Sequence, residues 1–282
     1  MEKVHCWKFD RIQGLEKFVF EEKGKPETLN QSSFLITAGA YTTFRTYKKM
    51  YVFHLKDHLQ RLEDTARFTN HNIRIVHDDV HIALRRILSK IEWEECRIRI
   101  TVNMHSEDGI FFICVEELTI PTATEYLNGV GVITINIKRD NPKAKLSEFI
   151  PVADYYKKMM DMSDYESLMV DEGGYILEGV SSNFFAVKDG IIRTAGSGIL
   201  EGITRSFVLE IAAQLDIPVV LQAIRITELP DLQEAFITSS SRGVLPVTRI
   251  NGVPVGKGQP GQITNKVAVK FNEQVEKNLE LI

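Results

Sequence analysis

The stretch "LEGVSSNFFAVKDGIIRTAGSGILEGITR", Leu177 to Arg205, decides the fold. It sets one carboxylate, Glu178, after "YIL" and before the turn Gly179-Val180-Ser181-Ser182-Asn183. Short apolar runs parted by turn residues predict strands over "YILEG", "NFFAV" and "GIIRT". "GITRSFVLEIAAQL" then predicts a helix with Ile203, Phe207, Leu209, Ile211 and Leu215 apolar. Gly196, Gly198 and Gly202 lead into that helix. The first amides of a helix lack internal partners, and its positive end favours anions. A second anion-binding candidate is Thr238-Ser239-Ser240-Ser241, where a strand runs into a hydroxyl-rich loop. Both loops also read as ordinary turns. Glu178 has two readings as well. It is either a solvated charge at a turn or a carboxylate that keeps a cationic ring nitrogen protonated.

Outward from this stretch, the chain is that of an ordinary globular protein. Its 282 residues are 44% apolar and 26% charged, enough for a sizeable core in one large or two ordinary domains. A net charge of −4 gives no basic field for nucleic acid or an anionic membrane. Cys6, Cys96 and Cys114 are far apart and form no CxxC pair. That spacing argues against a disulfide framework or structural zinc and for a reducing, cytoplasmic setting. The pairs His54/His58 and His77/His81 have a spacing of four but no HExxH, so no metal is expected. No GxSxG supports a serine nucleophile.

"AYTTFRTYKKMYVFHL" predicts two strands around a Lys-Lys turn. Two helices follow, one with Leu59, Leu62, Ala66 and Phe68 inward, the other with Val80, Ala83, Leu84, Ile87, Leu88 and Ile91 inward and Asp78 or Asp79 as N-cap. "CRIRITVNM" and "GIFFICVEEL" read as paired strands joined by the turn at 105–109. The expected class is α+β: a small N-terminal domain at 1–118, a linker at 119–126 around Pro121, and a larger, strand-rich C-terminal domain at 127–282. No GxGxxG follows a first strand, which argues against a dinucleotide fold.

Glu178-Gly179-Val180-Ser181-Ser182-Asn183-Phe184-Phe185, then Lys188-Asp189-Gly190, then Gly202-Ile203-Thr204-Arg205 together resemble the signature of the class IV (fold type IV) pyridoxal phosphate enzymes. These include branched-chain and D-amino acid aminotransferases and 4-amino-4-deoxychorismate lyase. His58-Leu59-Gln60-Arg61-Leu62 resembles the family's HxxRL motif, and Arg139 to Lys145 its RxxPxxxK approach, with one residue fewer. The resemblance runs from about residue 32 to about residue 252. It implies a two-domain fold type IV architecture with a pseudo-barrel in the larger domain, pyridoxal 5′-phosphate as cofactor, and a homodimer.

The resemblance also implies roles. Lys145, about 20 residues before Tyr165-Glu166, is the lysine joined to the cofactor, and it moves the substrate α-proton. Lys157 and Lys158 read instead as a solvated helix face. Glu178 holds the ring nitrogen, with Ser182 and Asn183 beside it. Arg61, the Gly202-Ile203-Thr204 turn, Ser239 and Ser240 hold the phosphate. Tyr41, Arg97 and Arg99 are the substrate-binding candidates, the two arginines sharing one strand face by the period of two. "LSEFIP" stands where the family has an Asn-Tyr pair after the lysine, which leaves Tyr155 or Tyr156 as the partner of the cofactor phenolate. Three functions stay open. They are transfer of an amino group from an apolar, branched-chain type L-amino acid to a 2-oxo acid, a lyase reaction of the aminodeoxychorismate type, and cofactor binding without catalysis.

Overall fold

The computed structural model describes residues 2–20, 24–105, 110–161 and 163–282. The chain divides into two compact units. One holds residues 1–119, 144–152 and 278–282, and the other holds 120–143 and 153–277.

The first unit is built on β1 (Val4–Asp10), β2 (Gly14–Phe18), α1 (Leu29–Ser33), β3 (Ala40–Tyr47), β4 (Tyr51–Phe53), α2 (Leu55–Phe68), α3 (His77–Leu88), β5 (Cys96–Val102) and β6 (Phe111–Glu117). Period-two alternation decides which side chains face which layer. Cys96, Ile98, Ile100 and Val102 of β5 join Phe111, Ile113 and Val115 of β6 in one core cluster with Leu59, Leu62, Leu84 and Ile87 of the two long helices. Each such side chain, fully withdrawn from water, contributes about 2 kcal/mol. On the opposite face, Val4, Cys6, Phe112 and Cys114 pack with Leu29 of α1. Arg97 and Arg99 alternate with the β5 core residues and therefore share this second face.

Several expectations change here. Phe68 is 51% exposed, because α2 ends there and its inward stripe is already complete at Ala66. The N-cap of α3 is Val76; Asp78 and Asp79 lie within its first turn, where they still oppose the helix dipole. The paired strands β5 and β6 form as expected, but 106–109 of their connection lies outside the described residues. Cys6 and Cys114 form a disulfide across β1 and β6, contrary to the reading of unpaired cysteines. Residues 108 apart in sequence face one another in the strand register, a proximity that CxxC spacing cannot reveal.

The second unit begins with α4 (Ala123–Asn128), whose Thr122 and Glu125 form a capping box. It continues through β7 (Val130–Ile135), α5 (Ile150–Met159), β8 (Asp164–Val170), β9 (Tyr175–Gly179), β10 (Asn183–Lys188), β11 (Ile191–Arg193), α6 (Ile203–Gln214), β12 (Val219–Val220), β13 (Ile224–Arg225), β14 (Glu234–Ser239), β15 (Gly243–Ile250), β16 (Val253–Pro254) and α7 (Gln262–Lys277). The first residues of α5, up to Val152, belong to the first unit. The last strand, β17 (Leu279–Leu281), pairs with β4 in the first sheet, where the sequence reads as a continued helix. β10, β14, β15, β7, β8 and β9 follow one another in hydrogen-bonded order. The ring closes where Asn183 of β10 pairs with Glu178 of β9, making a six-stranded barrel. The opening stretch is therefore the closing hairpin of this barrel. A Cβ on Gly179 would come 2.2 Å from Ser182 Oγ and 3.0 Å from Glu166 Cγ, so a side chain there would displace the bonded serine and acid.

Glu234 of β14 reaches the start of α7, where it accepts from the amides of Ile263 (3.0 Å) and Thr264 (2.7 Å) and from the Thr264 hydroxyl (2.7 Å). A carboxylate at a helix N-terminus satisfies orphan amides and opposes the dipole. Glu234→Ala is expected to lower unfolding stability by about 1–2 kcal/mol, read as a lower urea midpoint at unchanged slope.

Candidate active site

In the first unit, Lys145 lies in a segment stitched to the start of β3. Its carbonyl accepts from Tyr41 N at 2.9 Å, and its amide donates to Thr65 Oγ1 at 3.2 Å. Leu146 bridges Ala40, and Ser147 bonds Gly39 through both backbone and hydroxyl. The Lys145 ammonium lies 4.8 Å from the centre of the Tyr41 ring, and Arg99 Cζ lies 5.0 Å from it. Three of the proposed residues thus meet on one ring. Tyr155 is 57% exposed and stacks edge-on against Tyr156. Lys157 and Lys158 are exposed, with Lys158 paired to Asp154 one turn back.

Three arginines line that face of the sheet. Arg45 pairs with Glu95, and Arg97 with Glu116 at 3.0 Å. Arg99, 3% exposed, has no carboxylate partner among the described residues. It donates instead to Thr43, the Leu29 carbonyl, Ser33 and Asn30. A guanidinium has five N–H donors, so one remains. Burial is the main cause of its acidity being raised, with its pKa lowered to about 10.

Beneath the opposite face, His58 is buried and its Nδ1 is 2.7 Å from Thr42 Oγ1. Burial first, then the charges of Arg61 and Lys145, holds its pKa well below the ordinary 6.5. The first position of the HxxRL motif is thus a structural imidazole on α2, bonded to Thr42 and with its ring 5.1 Å from that of Phe44, two residues further along β3.

In the second unit, Glu178 is 2% exposed, which excludes the solvated-turn reading. Oε1 accepts from Arg139 Nε at 2.9 Å and from the Leu200 amide at 3.1 Å, and Oε2 accepts from Asn183 Nδ2 at 3.1 Å. Asn183 also donates to the Leu200 carbonyl at 2.8 Å, tying the barrel hairpin to the loop that enters α6. Gly202 is the N-cap of α6, and no side chain caps that helix. A Cβ on Gly202 would fall 2.0 Å from Asn183 Oδ1. Thr238 Oγ1, at the end of β14, is buried without a hydrogen-bond partner. A buried acid, a helix N-terminus without a side-chain cap and an unsatisfied hydroxyl form the donor and acceptor set that a phosphorylated pyridinium needs, so the residues fit such a group.

Two features escaped sequence reasoning. Arg139 appeared only as the head of a motif, and nothing local shows that it neutralises Glu178, 39 residues away. Glu166 was a landmark for locating the lysine. It is 3% exposed and accepts from Ser181 Oγ (2.6 Å), Ser182 Oγ (3.1 Å) and Arg242 Nη1 (3.3 Å). Arg242 also donates to Ser239 Oγ at 2.8 Å, so one guanidinium joins the hydroxyl loop to the barrel hairpin. A polar run ending in Arg-Gly was the available signal.

This arrangement, a six-stranded barrel closed at a buried acid beside a helix N-terminus, defines a class, and residues 39–250 match the family "Amino-transferase class IV". The chain belongs to the class IV aminotransferases. It is similar to the "Probable branched-chain-amino-acid aminotransferase" of Thermotoga maritima, 30% identical over 87% of this chain and 89% of the relative. The branched-chain-amino-acid aminotransferase of Pseudomonas aeruginosa is 27% identical over 81% of this chain and 80% of its own. In fold it resembles the branched-chain amino acid aminotransferase of Escherichia coli, with a TM-score of 0.76 at 21% identity and 99% coverage of both chains.

His58 offers a pH test. Its folded pKa is depressed, so the unfolded chain binds more protons below the ordinary value of 6.5 and stability falls as pH drops through that value. Wild type should lose stability from about pH 7 toward about pH 5, with His58 contributing up to about 1.4 kcal/mol per pH unit. His58→Gln should flatten that part of the profile in urea titrations at each pH.

Proposed function

We propose that this chain is a pyridoxal 5′-phosphate-dependent aminotransferase acting on apolar, branched-chain type L-amino acids and a 2-oxo acid. The observation that carries the cofactor is the buried Glu178 carboxylate, held by Arg139, Asn183 and the Leu200 amide next to the N-terminus of α6. The bound cofactor supplies an electron sink beside the substrate α-carbon. Lys145 Nζ would hold the cofactor covalently and, once the substrate amine takes its place in that bond, the freed amine would take the α-proton and return it. Glu178 sets its negative charge against the ring nitrogen and favours the protonated form. The amides of Ile203 and Thr204, at the positive end of α6, would hold the phosphate, and Arg61, Ser239 and Ser240 would add donors.

Substrate class follows from the arginines. Arg45 and Arg97 are neutralised by glutamates, which leaves Arg99 for one carboxylate. One α-carboxylate with an apolar side chain suits that charge count, and the relatives' names agree in kind. The chain is proposed to act as a homodimer, as the family resemblance implies.

Purified protein supplied with the cofactor should show a visible absorption band and a borohydride-reducible adduct. Lys145→Ala should lack both, and loss in Lys157→Ala or Lys158→Ala instead would refute the lysine assignment. In single-amino-acid half-reactions, leucine or valine should bleach the band. No bleaching with any amino acid, together with pyruvate release from aminodeoxychorismate, would replace transamination by the lyase reading.

A further inference from the structure

The first unit carries a cavity of about 210 Å³ that the aminotransferase reading leaves unused. Its lining is His5, Trp7, Leu15, Lys17, Arg86, Lys90 and Ile91. Two kinds of surface meet there. Trp7 and Ile91, 6% and 5% exposed, join Leu15 as an apolar floor. Lys17, Arg86 and Lys90 supply three cations, and no acidic residue lines the cavity.

Of the three cations, Lys17 already has a carboxylate: Glu2 bonds it at 3.0 Å and also pairs with Lys25 and His5. Arg86 and Lys90 have no ion-pair partner among the described residues. They stand four residues apart at the end of α3, a spacing at which like charges repel. The helix C-terminus partly accounts for Arg86. Lys90 lies beyond the last turn, and both exposed cations stand at the rim of a cavity that Trp7 also lines.

We propose that this cavity is a binding site for a small planar monoanion, an aromatic carboxylate. Its ring would lie against Trp7 between Leu15 and Ile91, and its carboxylate would meet Arg86 and Lys90. The volume lies below that of drug-sized pockets, about 300–1,000 Å³, and so suits a single-ring ligand. Arg is the residue whose planar donors match a carboxylate best.

The protein reports on this site by itself. Its two tryptophans are Trp7, in the lining, and Trp93, whose ring lies 5.3 Å from that of His5. The probe is 4-nitrobenzoate, a quencher of indole emission, titrated into the holoprotein, with 4-nitrobenzamide as the neutral isostere. Saturable quenching by the carboxylate is expected in wild type and in Trp93→Phe, which leaves Trp7 as the reporter. It should weaken by about tenfold or more in the double variant R86Q/K90Q and should weaken with added salt. Quenching that stays linear in 4-nitrobenzoate, matches the amide, or saturates equally in R86Q/K90Q would overturn the proposal. The wild-type titration decides the matter should Trp93→Phe fail to fold. Arg99→Gln, titrated in parallel, removes the cation assigned above to the substrate carboxylate and should keep the quenching; loss of quenching in that variant with R86Q/K90Q unaffected would place the probe at the proposed catalytic site instead.

Discussion

The buried pair of Arg139 and Glu178 is the constraint on which the second unit depends. A carboxylate withdrawn from water costs several kcal/mol unless its charge is met and its lone pairs are bonded. Here one oxygen takes the guanidinium and a backbone amide, and the other takes an asparagine that is itself in register with the acid across the barrel seam. Closure of the barrel and solvation of the acid are therefore one event. The pair is weak evidence for stability, since an apolar replacement of similar shape could do as well. Its bearing on chemistry lies in its position, a buried acid joined through the Leu200 amide to the loop that enters α6, where the cofactor is proposed to sit.

The first unit solves a different problem, that of fixing a long, mobile lysine. It does so through the backbone. Three consecutive residues, Lys145 to Ser147, bond to three consecutive residues at the entrance of β3, Gly39 to Tyr41. The side chain then leaves from an immobilised Cα beside the Tyr41 ring. This explains why residues 144–152 return to the first unit although their neighbours on both sides belong to the second.

What the sequence made legible was what short-range rules govern. The Lys48-Lys49 turn, with both residues at positive φ, the three strands from Tyr175 to Arg193 and the glycine entry to α6 all follow from periodicity and turn chemistry. The long signature around Glu178 made the site legible as well. Hidden features depend on partners far along the chain. β1 pairs along its other edge with β6, about a hundred residues on. β17 continues a helical pattern until β4 offers it an edge. Glu234 caps a helix that begins 28 residues later, and no N-cap pattern of adjacent residues announces it.

The fold and its cofactor cradle do not choose a substrate, because one cradle serves several reactions. That choice falls to groups that gain something from the ligand. Arg99 is the group we propose for it. Its environment is dry, its neighbours are neutral oxygens, and its pKa is lowered by burial. Neutral acceptors return only part of the hydration that a guanidinium gives up on burial, whereas a carboxylate returns more through a charge-assisted bond. A ligand with one carboxylate relieves this deficit. A ligand without one leaves it in place, and a second carboxylate would have to displace Glu95 or Glu116 from an arginine already satisfied. Under the proposed reading, preference for a single acid group would follow from unequal neutralisation of three arginines on one sheet face, a pattern that their residue types alone do not disclose.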